Sequence, residues 1–212
     1  MNRPFKTFKF ITACLLIIGF TLKGFSQTET STWKAQFALG INSPSQNAFV
    51  STFEAKPINF PTFNIGVQRM FSSVLGAKLD FGYNRLSNAS GSPEFKVNYS
   101  RINAQVVYDP SNLINFLPPN VAIVAHGGPG FTFVKPLGNY VDNKTSFLNA
   151  MIGIEFHYGI SQSMSLFLDT SYIYSLSGDY DNLAAGFGTY NGNLLTVTVG
   201  VSISLSGCYY CE

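Results

Sequence analysis

Charge is what this chain has least of. Lys, Arg, Asp and Glu make up 11% of its 212 residues, under half of the ~25% usual in soluble domains. The formal net charge is only +2, so composition offers no basic surface to nucleic acid. Long apolar runs are missing too. The longest is Ile11 to Phe20, about half of the ~20 residues a membrane helix needs. Any membrane-spanning structure must therefore be built from strands. There are three cysteines and two histidines, too few for a zinc framework, and no cofactor motif accompanies them. No low-complexity tract or Pro/Ser-rich linker divides the chain, which reads as one domain.

The N-terminus reads as an address. Arg3, Lys6 and Lys9 precede the apolar run, and Gly24, Ser26 and Gln27 follow it, the layout of a secretory signal peptide over residues 1–27. The stretch "ITAC" resembles a lipoprotein processing box, but most of the apolar run follows Cys14 where it should precede it. Removal of the signal takes Cys14 with it and leaves Cys208 and Cys211. These lie in a short tail, 207–212, expected on the periplasmic side, where a C-x-x-C pair can close a local disulfide.

Between signal and tail, over residues 28–206, period two recurs. Phe37, Leu39 and Ile41 alternate with Gln36 and Gly40; Phe63, Ile65 and Val67 with Asn64 and Gly66; Leu79, Phe81 and Tyr83 with Lys78, Asp80 and Gly82. The fourth segment is irregular. Ile102, Ala104, Val106 and Tyr108 make one face, while Phe95, Val97 and Tyr99 fall in the opposite phase, which predicts a bulge or a change of environment. The segments around Ile123, Ile152, Leu168 and Val199 repeat the alternation. The pattern predicts eight strands of about nine to thirteen residues. Short links at Ser72–Val74 and Ser161–Ser163 alternate with long polar ones, such as Asn42–Phe60 and Ser177–Asn193. That rhythm suits an all-β, eight-stranded, antiparallel up-and-down transmembrane barrel. Asp109–Asn120, with "NLINFLPPN", is the one long link on the short-turn side and is expected to hold a short helical turn.

Alternation alone does not say which face points inward. A soluble lipocalin-like barrel would bury its apolar face around a ligand; a membrane barrel turns that face to lipid. The polar phase holds Lys34, Lys78, Asp80, Arg101, Glu155, His157 and Asp169 among glycines and serines. A water-facing surface would carry many more charges, whereas mixed charges in a narrow lumen can pair. Phe71, Tyr83, Tyr108, Tyr158, Tyr172 and Tyr174 fall on the apolar phase towards strand ends, where membrane barrels place aromatic girdles. Both features favour the membrane barrel.

The stretches "VAIVAHGGPGFTF", "FLNAMIGIEFHYGISQSMSLFLDTSYIY" and "NLLTVTVGVSISLS" resemble the N-terminal barrel of outer membrane protein A-like proteins of Bacteroidetes. The signal ending "GFSQ" is similar to exported proteins of that group. The resemblance implies an outer-membrane barrel with a structural or surface-interaction role, and no particular ligand. It implies as partners outer-membrane lipid with lipopolysaccharide and the barrel-assembly machinery; what the external loops contact stays unknown. Longer relatives carry a peptidoglycan-binding domain after the barrel. This sequence ends seven residues after Leu205, so cell-wall tethering is not carried over.

Enzymatic chemistry has little support in the residues. His126 and His157, with Glu155 and Asp169, could be imagined as a metal site or as part of a Ser-His-acid set. No serine nucleophile stands near His126 on its own strand, so the expectation is packing: Lys34, Lys78 or Arg101 offsetting Asp80, Glu155 and Asp169. The chain is thus expected not to be an enzyme, and to hold no metal or cofactor. A small channel or carrier for hydrophobic solutes, or a soluble lipocalin-like binder, are the alternatives.

Overall fold

The computed structural model describes residues 33–46, 49, 53–114, 116–161, 163–176, 190 and 192–205. The signal segment and the Cys208–Cys211 tail lie outside them. Eight antiparallel strands follow one another: β1 (Trp33–Pro44), β2 (Asn59–Met70), β3 (Leu75–Ser87), β4 (Lys96–Tyr108), β5 (Val121–Pro136), β6 (Thr145–Ser161), β7 (Met164–Ser175) and β8 (Leu194–Ser204). Each pairs with the next, and β8 closes on β1 through a ladder from Lys34↔Ser204 to Pro44↔Leu194. Closure leaves no strand edge exposed, which is the condition for β-structure in lipid. No described helix is long and apolar enough to cross a membrane.

The barrel is inside-out relative to a soluble protein. Phe37, Leu39, Leu79, Phe81, Ile152, Ile154 and Val199 are exposed on the outside. Their neighbours Gln36, Lys78, Asp80, Gly153, Glu155, Thr198 and Gly200 point inward, and the polar ones among them are buried. Along the mid-barrel the inward side chains are mostly polar, with Ala38 and Phe167 the apolar ones beside Gln36, Asp80, Glu155 and Asp169, the reverse of a lipocalin-type interior.

The fourth segment differs from the bulge half of its expectation. β4 pairs in unbroken register with β3, from Leu75↔Tyr108 to Ser87↔Lys96, and keeps a single register with β5. What changes is the environment. Val97 and Tyr99 point inward, completely buried, because the lumen turns from polar to apolar near the long loops. The irregularities fall elsewhere, between Gly40 and Asn42 against β2 and between Gly159 and Ser161 against β7. β5 and β6, at 16 and 17 residues, are also longer than the alternation suggested. The Asp109–Asn120 link does hold a 3-10 turn, at Ser111–Leu113.

Candidate functional site

Inward-facing side chains fill the lumen in layers. At the long-loop end lies an apolar cluster built around Tyr99, Tyr190, Val97, Phe95, Phe147 and Ile173. Tyr99 meets Tyr190 and Phe147 edge-on at 6.1 and 6.3 Å between ring centroids. The Tyr190 hydroxyl donates to the Asn193 carbonyl and accepts from the Ser45 N–H at 3.1 Å, so loop residues are bound into the plug.

Below it runs a polar network whose every charged member is buried. Glu155 on β6 is its centre. Its Oε1 lies 2.5 Å from Lys78 Nζ on β3, and its Oε2 accepts from Gln36 Nε2 at 3.0 Å and His157 Nε2 at 2.7 Å. Asp80 on β3 meets Arg101 Nη1 of β4 at 2.7 Å and accepts from Gln105 Nε2. The Gln105 amide oxygen faces His126 Nδ1 at 2.5 Å, and His126 Nε2 lies 3.4 Å from Asp169 Oδ1, which also accepts from Ser171 Oγ at 2.6 Å. Arg101 donates to Asn103 and Asn64. Asn103 continues through Asn149 and Thr132 to the Tyr99 hydroxyl, joining the network to the plug.

Inward glycines make the room. A methyl on Gly82 would stand 2.7 to 2.9 Å from the Arg101 guanidinium, and one on Gly153 would collide with Ser171 and His126. The void left among Gln36, Asp80, Glu155 and Asp169 is about 10 Å³, room for no more than one water. At the other end, Met70, Val107 and Val124 form a small apolar layer. Beneath it opens a cavity of about 520 Å³ at the short-turn end, walled by Lys34, Gln68, Ser111, Asn120, Ser165 and Ser202 among others.

Six of the seven expected lumen residues, Lys78, Asp80, Arg101, Glu155, His157 and Asp169, thus stand in one buried network, while Lys34 lies lower, part-buried in the cavity wall. The uncharged members Gln36, Asn64, Asn103, Gln105 and Asn149 were missed. Only their inward phase could have marked them. Ser165 was missed as well. It lies 3.1 Å from His157 Nδ1, so a Ser165–His157–Glu155 chain runs from the cavity into the network. Nε2 donates to the Glu155 carboxylate, and in the neutral ring Nδ1 is then the acceptor for the Ser165 hydroxyl.

His126, Glu155 and Asp169 bring ligand atoms within 4.8 Å of one another. The ammonium of Lys78 already supplies a positive charge at Glu155, which is what a cation would bring to that cluster.

The family model for the outer membrane protein beta-barrel domain matches residues 12–202. The chain belongs to that family. No curated protein sequence matches it. Among solved structures it is similar to Neisserial surface protein A, at 13% identity and a TM-score of 0.55, over 84% of this chain and 100% of that one. It is also similar to a major outer membrane protein from Thermus thermophilus, at 11% identity and a TM-score of 0.54, over 81% and 98% of the two chains. At such identities the likeness is one of fold. This outer membrane β-barrel shares with them the closed wall; its layered filling is read from its own residues.

Proposed function

We propose that this outer-membrane barrel is non-enzymatic and works as a sealed structural element that presents its long loops for surface contact. The observation that carries this reading is the filled lumen. An aromatic plug, an ionic network and the Met70–Val107–Val124 layer lie in series, and among the described residues the mid-barrel void is only about 10 Å³, too small to pass a solute. The small-channel or carrier reading would need a continuous path. A buried network whose carboxylates all accept hydrogen bonds, and in which only Arg101 Nε of the charged groups' atoms lacks a partner among the described residues, also suits register-fixing better than turnover.

The finer assignments are proposed from family membership alone. An outer membrane protein A-like lineage within Bacteroidetes, export by the residues 1–27 signal and insertion by the barrel-assembly machinery are consistent with the family. So is contact with lipopolysaccharide through the outward face. Planar-bilayer recording tests the central claim. The purified barrel should insert without stepwise conductance, and steady ion-conducting steps from the wild-type chain would overturn the sealed reading.

A further inference from the structure

The ladder between β4 and β5 runs out at Tyr108↔Ala125, yet β5 starts four residues earlier, at Val121. Its edge there would be bare, and bare backbone near hydrocarbon is costly. The Asp109–Asn120 link covers it. Ser111 Oγ accepts from the Ile123 N–H at 2.9 Å and faces the Ile123 carbonyl at 3.4 Å. Asp109 Oδ1 in turn accepts from the Ser111 N–H at 3.0 Å. Within the link four backbone bonds close successive tight turns among the described residues, Leu113 to Pro110, Ile114 to Ser111, Leu117 to Ile114 and Val121 to Pro118.

Its side chains sort by character. Asp109, Ser111, Asn112 and Asn120, with Pro119 beside them, line the cavity. Leu113 and Phe116 do not line it and are 65% and 86% exposed, Phe116 being the most exposed large apolar side chain among the described residues. From Pro110 to Asn120 the link carries no charge. The same short-turn rim carries an outward girdle, where Phe71, Tyr108, Tyr158 and Trp33 are exposed. There the Arg69 guanidinium lies 5.3 Å from the Trp33 ring centroid. A segment bonded in successive turns, uncharged from Pro110 to Asn120, with Leu113 and Phe116 exposed away from the polar groups at the cavity, has the chemistry of an interfacial segment.

We propose that the Asp109–Asn120 link is a lipid anchor. Leu113 and Phe116 enter the boundary between phospholipid headgroups and acyl chains in the leaflet at the short-turn end, and set the depth at which the barrel sits. The proposal rests on the outer-membrane reading, and the test separates the two. Trp33 is the only tryptophan, so it reports whether the barrel is in lipid. Phe116→Trp in a Trp33→Phe background reports on the link, with Leu113→Trp as the second variant should the first not fold. Each chain is refolded into phosphatidylcholine vesicles brominated either near the headgroup or near the acyl-chain end, and folding is verified by heat-modifiable migration. The expected result is quenching of the Phe116→Trp indole that is stronger from the shallow bromines, with little access for aqueous acrylamide. Quenching of Trp33 without quenching of the link indole overturns the anchor alone, as does stronger quenching of that indole by the deep bromines. Failure of both indoles to be quenched overturns the membrane reading and the anchor with it.

Discussion

Lys78 and Glu155 are 77 residues apart in sequence, sit on β3 and β6, and meet across the lumen at 2.5 Å with both side chains buried. Three strand boundaries separate them on the shorter way round, so the pair ties one wall of the barrel to another. Removing one partner leaves the other charge buried and uncompensated, at a cost of about 3–5 kcal/mol. Lys78→Met and Glu155→Gln should each lower the urea midpoint for unfolding from vesicles by an amount corresponding to that range. The double variant should recover much of the loss, because the pair itself contributes less than the penalty of breaking it. Additive losses in the double-mutant cycle would show that the two do not interact.

Gly82 tests the packing of the second ion pair. With a methyl at that position 2.7 Å from Arg101 Nε, Gly82→Ala must push the guanidinium off Asp80 or spread β3 from β4. Overpacking of this kind costs about 1–3 kcal/mol. Arg101→Lys in the same chain, with a slimmer head and no guanidinium plane, should restore part of that loss. Thermal unfolding followed by gel migration measures both, and an unchanged transition for Gly82→Ala would place Arg101 elsewhere.

The outward face of this barrel is legible residue by residue because lipid demands an apolar group at every second position, as at Leu75, Leu79 and Phe81. The inward face is less constrained. A closed lumen accepts polar groups at Lys78 and Asp80 and apolar ones at Val97, Tyr99 and Phe167, provided each polar group finds a partner. Period two therefore identifies which residues point inward but not where the filling changes character, which is why the environment change in β4 resembled a bulge. Partner choice is harder still. It depends on how strand tilt and stagger bring distant strands level, so the meeting of Lys78 with Glu155, or of Ser165 with His157, is absent from any local pattern. Sequence could place the charges in one lumen; only the closed register pairs them.

Ser165 checks the non-enzymatic reading. The Ser165–His157–Glu155 order has nucleophile, base and acid within hydrogen-bond reach, at 3.1 and 2.7 Å. An acid that stabilises a forming imidazolium must have charge to spare. Glu155 is already matched by Lys78 and Gln36, and the His157 ring is stacked on Phe167 at 5.2 Å between centroids. A fluorophosphonate probe should therefore leave Ser165 unlabelled in the folded, vesicle-inserted barrel, and Ser165→Ala should change stability by no more than about 1 kcal/mol. Labelling of Ser165 that disappears in His157→Gln would establish an activated serine and refute the reading.

Leu79 decides whether exposure here means water or lipid. Its side chain is 58% exposed on the outer wall of β3, midway between Leu75 near one rim and Tyr83 near the other. On a water-soluble barrel, arginine at so exposed a site would be tolerated within a few tenths of a kcal/mol. In a bilayer the same substitution costs about 2–4 kcal/mol at mid-depth and falls towards zero at the interface. Leu79→Arg should thus weaken the vesicle-inserted barrel strongly, while Leu75→Arg, four residues nearer the rim, costs far less. The depth gradient is the diagnostic, since a general loss of packing would penalise both sites alike. Equal and small effects of the two substitutions on the unfolding midpoint would place this face in water.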